Sequence, residues 1–142
     1  MSDTCWLRLT FPRKDLPKFN EVLKDELWDG VFWDEDNGDE GIIEAIVYEA
    51  HNGWYYQIHA LAKAGLSFEV FHLAGASYGP CVYACYKGEL VMCSSDWHGN
   101  PVAIVNKDGV SEAELQNCLK YHQLLDKVYK EVQDDETVKD GS

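Results

Sequence analysis

The chain has 142 residues, 46% of them apolar and 13% aromatic, and a formal net charge of −13. Length and composition suit one folded domain with a sizeable core and exclude a disordered chain. The charge disfavours direct contact with nucleic acid or an anionic membrane, and no apolar run approaches the ~20 residues that a bilayer span needs.

Cys5 to Phe11 alternates in character and is rich in strand formers, which predicts a first strand. Asp15 can cap a following helix, with Pro17 in its first turn and Leu16, Phe19 and Leu23 on one face. Residues 28–41 read as an acidic loop carrying three large apolar anchors, Trp28, Phe32 and Trp33. The β-branched run from Ile42 to Tyr48 predicts a strand. A second helix opens at Asn52-Gly53 and runs to about Ala64, where Gly65 stops it. Leu66 to His72 alternates again, and residues 73–80 form a small-residue loop. Three short strands follow at hairpin spacing: Cys81–Tyr86, Glu89–Ser94 and Pro101–Val105. Ser111 to Glu114 is a capping box, and behind it Leu115, Cys118, Leu119, His122, Leu125, Tyr129 and Val132 keep the 3/4 spacing of a helix stripe. The expected fold is α+β. A mixed or antiparallel sheet, including a C-terminal three-strand meander, is packed on one side by about three helices. Residues 1–133 form a single acidic domain, and 134–142 a polar, frayed C-terminal tail.

The charge is unevenly spread. From residue 25 to residue 62 there is no Lys or Arg, while ten carboxylates occur. That stretch supplies most of the net charge and attracts a basic surface. Aromatic anchors in a charged frame are common at interfaces. The expected partner-binding residues are therefore Trp28, Asp29, Trp33, Asp34, Glu35, Asp36, Asp39 and Glu40.

Other constellations are weaker. Asp34, Asp36 and Gly38 echo an EF-hand start, yet the sixth position is Asp39 and the twelfth Ala45, where the motif needs Gly and Glu. Cys81, Cys85, Cys93 and His98 suggest zinc, but two cysteines four apart on one strand are separated by about 13 Å. Gly75 to Pro80 precedes a strand, so it lacks the helix N-terminus that a phosphate cradle requires. A Cys/His nucleophile pair needs only spatial adjacency, with His51, His59, His72, His98 and His122 as possible bases. His98 is expected in an exposed turn and His122 in the core. No catalytic residue, metal or cofactor is assigned. The five cysteines, odd in number, with no secretory signal in view, point to free thiols and a cytoplasmic setting.

The stretches Gly53-Trp54-Tyr55-Tyr56, Ala64 to Phe68, Gly75 to Pro80 and His98 to Pro101 resemble small acidic proteins of phages and plasmids, over roughly the middle half of the chain. The resemblance implies no catalytic residues. It implies a mobile-element context in which such proteins block host defence, as anti-CRISPR and anti-restriction inhibitors do. The leading expectation is an acidic inhibitor that sets carboxylates against a basic, nucleic-acid-binding partner, in the manner of a nucleic-acid mimic. An immunity-type protein that neutralises a toxin needs the same physics. A small Cys/His enzyme is the reading from a different class.

Overall fold

The computed structural model describes residues 3–25 and 41–140. Five strands form one sheet in the order β2-β1-β3-β4-β5. They are β1 (Thr4–Pro12), β2 (Ile42–His51), β3 (Phe68–His72), β4 (Cys81–Tyr86) and β5 (Glu89–Ser94). Every pairing in it is antiparallel, so of the two expected sheet types the antiparallel one forms.

Period-2 alternation sends Cys5, Leu7, Leu9 and Phe11 of β1 to one face, with Phe68, Val70, Tyr83 and Cys85 beside them. Helix α1 (Leu16–Leu23) brings Phe19 and Leu23 to this face, and helix α2 (Tyr55–Lys63) brings Ile58 and Leu61. Asp15 occupies the N-cap of α1 without a side-chain cap bond, and Pro17 lies in its first turn. A 3-10 turn, Asn52–Trp54, leads into α2. The helix closes at Gly65, whose N–H donates to Ala62 O at 2.9 Å.

Phe71, Val82, Ala84, Val91 and Cys93 point to the opposite face, where Tyr121 and Leu124 of helix α3 (Glu112–Asp140) cover them. The helices thus lie on both faces of the sheet, not on one. The four inner residues of β4 are all buried, which a strand covered on one face only could not achieve.

Lys87 and Gly88 join β4 to β5 in a two-residue turn with φ of 49° and 89°. Two positive values define the turn whose twist matches the flanking strands, and Gly88 adopts its own at no steric cost. The expected third meander strand forms only in part. Pro101 makes an isolated bridge to Ser95, while Val105–Asn106 (β6) pairs with Gly109–Val110 (β7) in a separate ribbon. The capping box is likewise half formed. Ser111 Oγ accepts the Glu114 N–H at 3.5 Å, but Ser111 N–H donates to Ile104 O at 3.0 Å. With that donor engaged, the Glu114 carboxylate accepts the Ile104 N–H at 2.8 Å instead, tying the ribbon to the start of α3.

The buried stripe of α3 differs from the expected one. Tyr121, Leu124, Val128 and Val132 are buried, Cys118, Leu125 and Tyr129 are half-buried, and Leu115, Leu119 and His122 are exposed. His122 is therefore a surface residue. Leu124→Ala is expected to cost about 2–5 kcal/mol through lost transfer energy and the cavity left behind. His122→Ala should stay within about 0.5 kcal/mol. Urea denaturation of the two variants checks the assignment, and comparable losses would mean that the helix is rotated. The helix also continues through residues 134–140, which the sequence alone reads as tail.

Candidate functional site

All eight expected partner-binding residues, Trp28, Asp29, Trp33, Asp34, Glu35, Asp36, Asp39 and Glu40, lie outside the described residues. The flanks of that segment are well held. Leu23 is buried at the end of α1. Arg13 N–H donates to Gly41 O at 2.8 Å, and Arg13 Nη2 to Ile42 O at 3.0 Å.

The Lys- and Arg-free stretch continues past Gly41 through β2, an edge strand, and on into α2. Along it Tyr48 is 77% exposed and Tyr56 76% exposed, while Glu49 and Tyr55 also face solvent. The Tyr55 ring meets Tyr56 edge-on at 5.4 Å and His59 at 4.2 Å. Sequence reasoning placed the exposed aromatics only at Trp28 and Trp33. The spacing of Ile58 and Leu61 could have revealed Tyr56, which sits about 200° around the helix from Ile58.

A second constellation is assembled by strand register. His72 lies opposite Leu7 of β1 and opposite Cys81 of β4. Cys5 and Cys81 therefore share a sheet face with His72, an adjacency that sequence spacing does not reveal. Asn52, Gly53 and Trp54 close over this end of the sheet with φ of 53°, 62° and 59°. Only glycine fits at position 53, since a Cβ there would lie 2.8 Å from His72 Nε2. A buried tryptophan in the left-handed region costs on the order of 1–3 kcal/mol, so the surrounding packing must enforce it.

The Tyr78 hydroxyl donates to Asp3 O at 3.4 Å, at the same end of the sheet as Cys5. The loop bearing Tyr78 is closed by Asp3. Its carboxylate accepts the Ala76 N–H at 2.7 Å, the Ser77 N–H at 3.2 Å and a short bond from Ser77 Oγ. The Ser77 hydroxyl, seconded by the two backbone donors, holds the Asp3 carboxyl below its usual range.

This cluster does not have the electrostatics of an activated nucleophile. His72 is 3% exposed, and its Nδ1 lies 2.9 Å from Leu73 O, a geometry that assigns the proton to Nδ1. Burial lowers its pKa below the ordinary imidazole value. Burial also pushes the Cys5 and Cys81 thiols up, away from the thiolate that attack requires.

Cys85 and Cys93 follow the same physics. The Cys85 thiol donates to Leu66 O at 3.3 Å, and burial pushes its pKa up to about 11. Burial, then the hydrogen-bonded thiol of Cys118, pushes Cys93 up to about 12. With iodoacetamide at neutral pH, Cys5, Cys85 and Cys93 should react at least about tenfold more slowly than in the unfolded chain. Rapid, selective alkylation of one of them would return the nucleophile reading to the front.

His98 is exposed, as expected, in a turn organised by Asp96, whose Oδ1 accepts the His98 and Asn100 N–H groups at 2.9 Å each. Among the described residues no group of three or more His, Cys, Asp or Glu is placed to hold a metal ion. No helix among them is long and apolar enough to cross a membrane. No family model, curated protein or solved structure matches the chain.

Proposed function

We propose that this chain is an acidic binding protein that inhibits a basic, nucleic-acid-binding partner by presenting a carboxylate-rich face. The observation that carries the reading is the run from residue 25 to residue 62, with ten carboxylates and neither Lys nor Arg. Carboxylates concentrated in this way create a field that a groove built for phosphates meets with complementary charge. Tyrosines exposed along the same run, Tyr48, Tyr55 and Tyr56, are side chains that supply contact area at little entropic cost. The thiols of Cys5, Cys81, Cys85 and Cys93, pushed toward their protonated forms, lend no support to a nucleophilic enzyme.

The test replaces Asp34, Glu35, Asp36, Asp39 and Glu40 with Lys. The partner captured from a lysate by the wild-type chain should lose its nucleic-acid binding when the chain is added at equal concentration. The variant should neither capture nor inhibit it. Inhibition should also weaken steeply with salt, because exposed charges are screened over ~8–10 Å. Equal inhibition by the variant at physiological ionic strength, or a captured partner with no nucleic-acid site, would overturn the reading.

A further inference from the structure

The acidic run leads into an edge of the sheet, β2. Arg13 N–H donates to Gly41 O, and the register continues with Phe11 opposite Ile43, Leu9 opposite Ala45 and Leu7 opposite Val47. Residues 41, 43, 45 and 47 therefore turn their backbone groups toward β1, and Ile42, Glu44 and Ile46 turn theirs outward. Arg13 Nη2 takes the Ile42 carbonyl, which marks one end of the open edge. The other end is a bulge, where Tyr48 and Glu49 together stand opposite Trp6. Between these limits, among the described residues, no bond is made to the outward backbone groups of Glu44 and Ile46.

Period-2 alternation gives this edge two unlike sides. Ala45 and Val47 lie on the side of α1 and α2, packed against the core. Glu44, Tyr48 and Glu49 lie on the other side, where α3 packs over β3 to β5 and Tyr48 and Glu49 stay in solvent. Arg8, opposite Ile46 on that side, holds its guanidinium over the Phe71 ring of β3, away from the edge.

We propose that the β2 edge takes an extended basic segment of a protein partner as an added antiparallel strand, in which Lys or Arg alternates with apolar residues. Directly opposed residues of an antiparallel pair share a face. The basic residues therefore pair their backbone with Glu44 and Ile46 and set their side chains against Glu44, Glu49 and the Tyr48 ring. The apolar residues fall beside Ala45 and Val47 and extend the margin of the core. Charge complementarity selects this occupant, because β2 belongs to the run from residue 25 to residue 62 that holds ten carboxylates and neither Lys nor Arg. Sheet edges are commonly blunted by charges and bulges. Here the blunting charges, Glu44 and Glu49, are both carboxylates. They repel nucleic acid, acidic strands and a second copy of this chain, and they admit a basic strand. The sign of the occupant's charge rests on the reading under Proposed function. The pairing geometry does not.

The probes are synthetic dodecamers added to the intact chain at about 0.15 M salt. One alternates Lys with Val, one carries the same residues in two blocks, and one alternates Glu with Val. In amide spectra the alternating Lys peptide should shift Glu44 to Tyr48, and at saturation it should slow exchange of the Glu44 and Ile46 amides at least about tenfold. N-methylation of its Lys residues should weaken binding at least about tenfold, the equivalent of one to two backbone bonds. N-methylation of its Val residues, whose N–H groups face away from β2, should not. Changing Glu44 and Glu49 together to Lys should abolish binding. Equal binding of the two-block peptide, or equal effects of the two N-methylations, overturns strand addition and leaves the acidic reading standing. Equal binding of the Glu peptide, or unchanged binding to the folded double variant, overturns the basic occupant and counts against the reading it rests on. A sedimenting dimer whose Glu44 and Ile46 amides are protected without peptide assigns the edge to a second copy and overturns the partner strand.

Discussion

Phe19→Ala should be among the most damaging single truncations in the described fold, lowering stability by about 3–5 kcal/mol. Helix α1 has only eight residues, too few to persist by propensity alone, so its place depends on what it buries. Phe19 is fully buried, stacks on Phe11 at 4.0 Å and 16°, and meets Phe68 edge-on at 6.2 Å and 88°. Truncation removes the ring from between two strands and leaves a cavity that β1 and β3, held in the middle of the sheet, cannot close. Each lost aromatic pair adds roughly 0.5–1.5 kcal/mol to the transfer term. Against a total stability of about 5–15 kcal/mol this is a large share. Urea melts should show a lower midpoint at unchanged slope. A loss below about 1 kcal/mol would mean that α1 does not pack where it is placed.

Glu69→Ala should cost about 2–5 kcal/mol, for a different reason. Glu69 projects from β3 toward α3, where Tyr121 donates to one carboxylate oxygen at 3.2 Å and Tyr129 donates a short bond to the other. Burial, and after it the neighbouring carboxylate, pushes both phenols up, so they stay protonated donors. Removing the carboxylate strands two largely buried hydroxyls, each costing about 1–3 kcal/mol when unsatisfied. Tyr129→Phe removes one donor and leaves the carboxylate its bond to Tyr121, so its cost should be smaller. The double variant should then lose clearly less than the sum of the two single losses, because the bond can be broken only once. Additive losses would show that Glu69 and Tyr129 act independently and that α3 is held by its apolar stripe alone.

Most element positions were legible in the sequence because they depend on neighbours a few residues away. The bounds of β4 and β5 follow from their hairpin spacing around the Lys87-Gly88 turn, and α2 ends at the glycine that its composition marks. The rotation of α3 was not legible. Leu115, Leu119, His122 and Leu125 trace one acceptable stripe and Tyr121, Leu124, Val128 and Val132 another, both at helical spacing. The choice between them is made by the position of β4 and β5, whose Val82, Ala84 and Val91 need covering. The third meander strand failed for a related reason: after pairing once with Ser95, the chain turns away to its own ribbon.

The acidic run is a property of composition and was visible at once, since like charges need no fold to add. By itself the sequence determined this charge, the α+β class and the local signals that begin and end its elements. The tertiary structure decided which groups meet: His72 beside Cys5 and Cys81, and Glu69 with a tyrosine sixty positions away. Those meetings depend on strand register and on which face each helix covers, both set by the packing of the whole core rather than by any local preference.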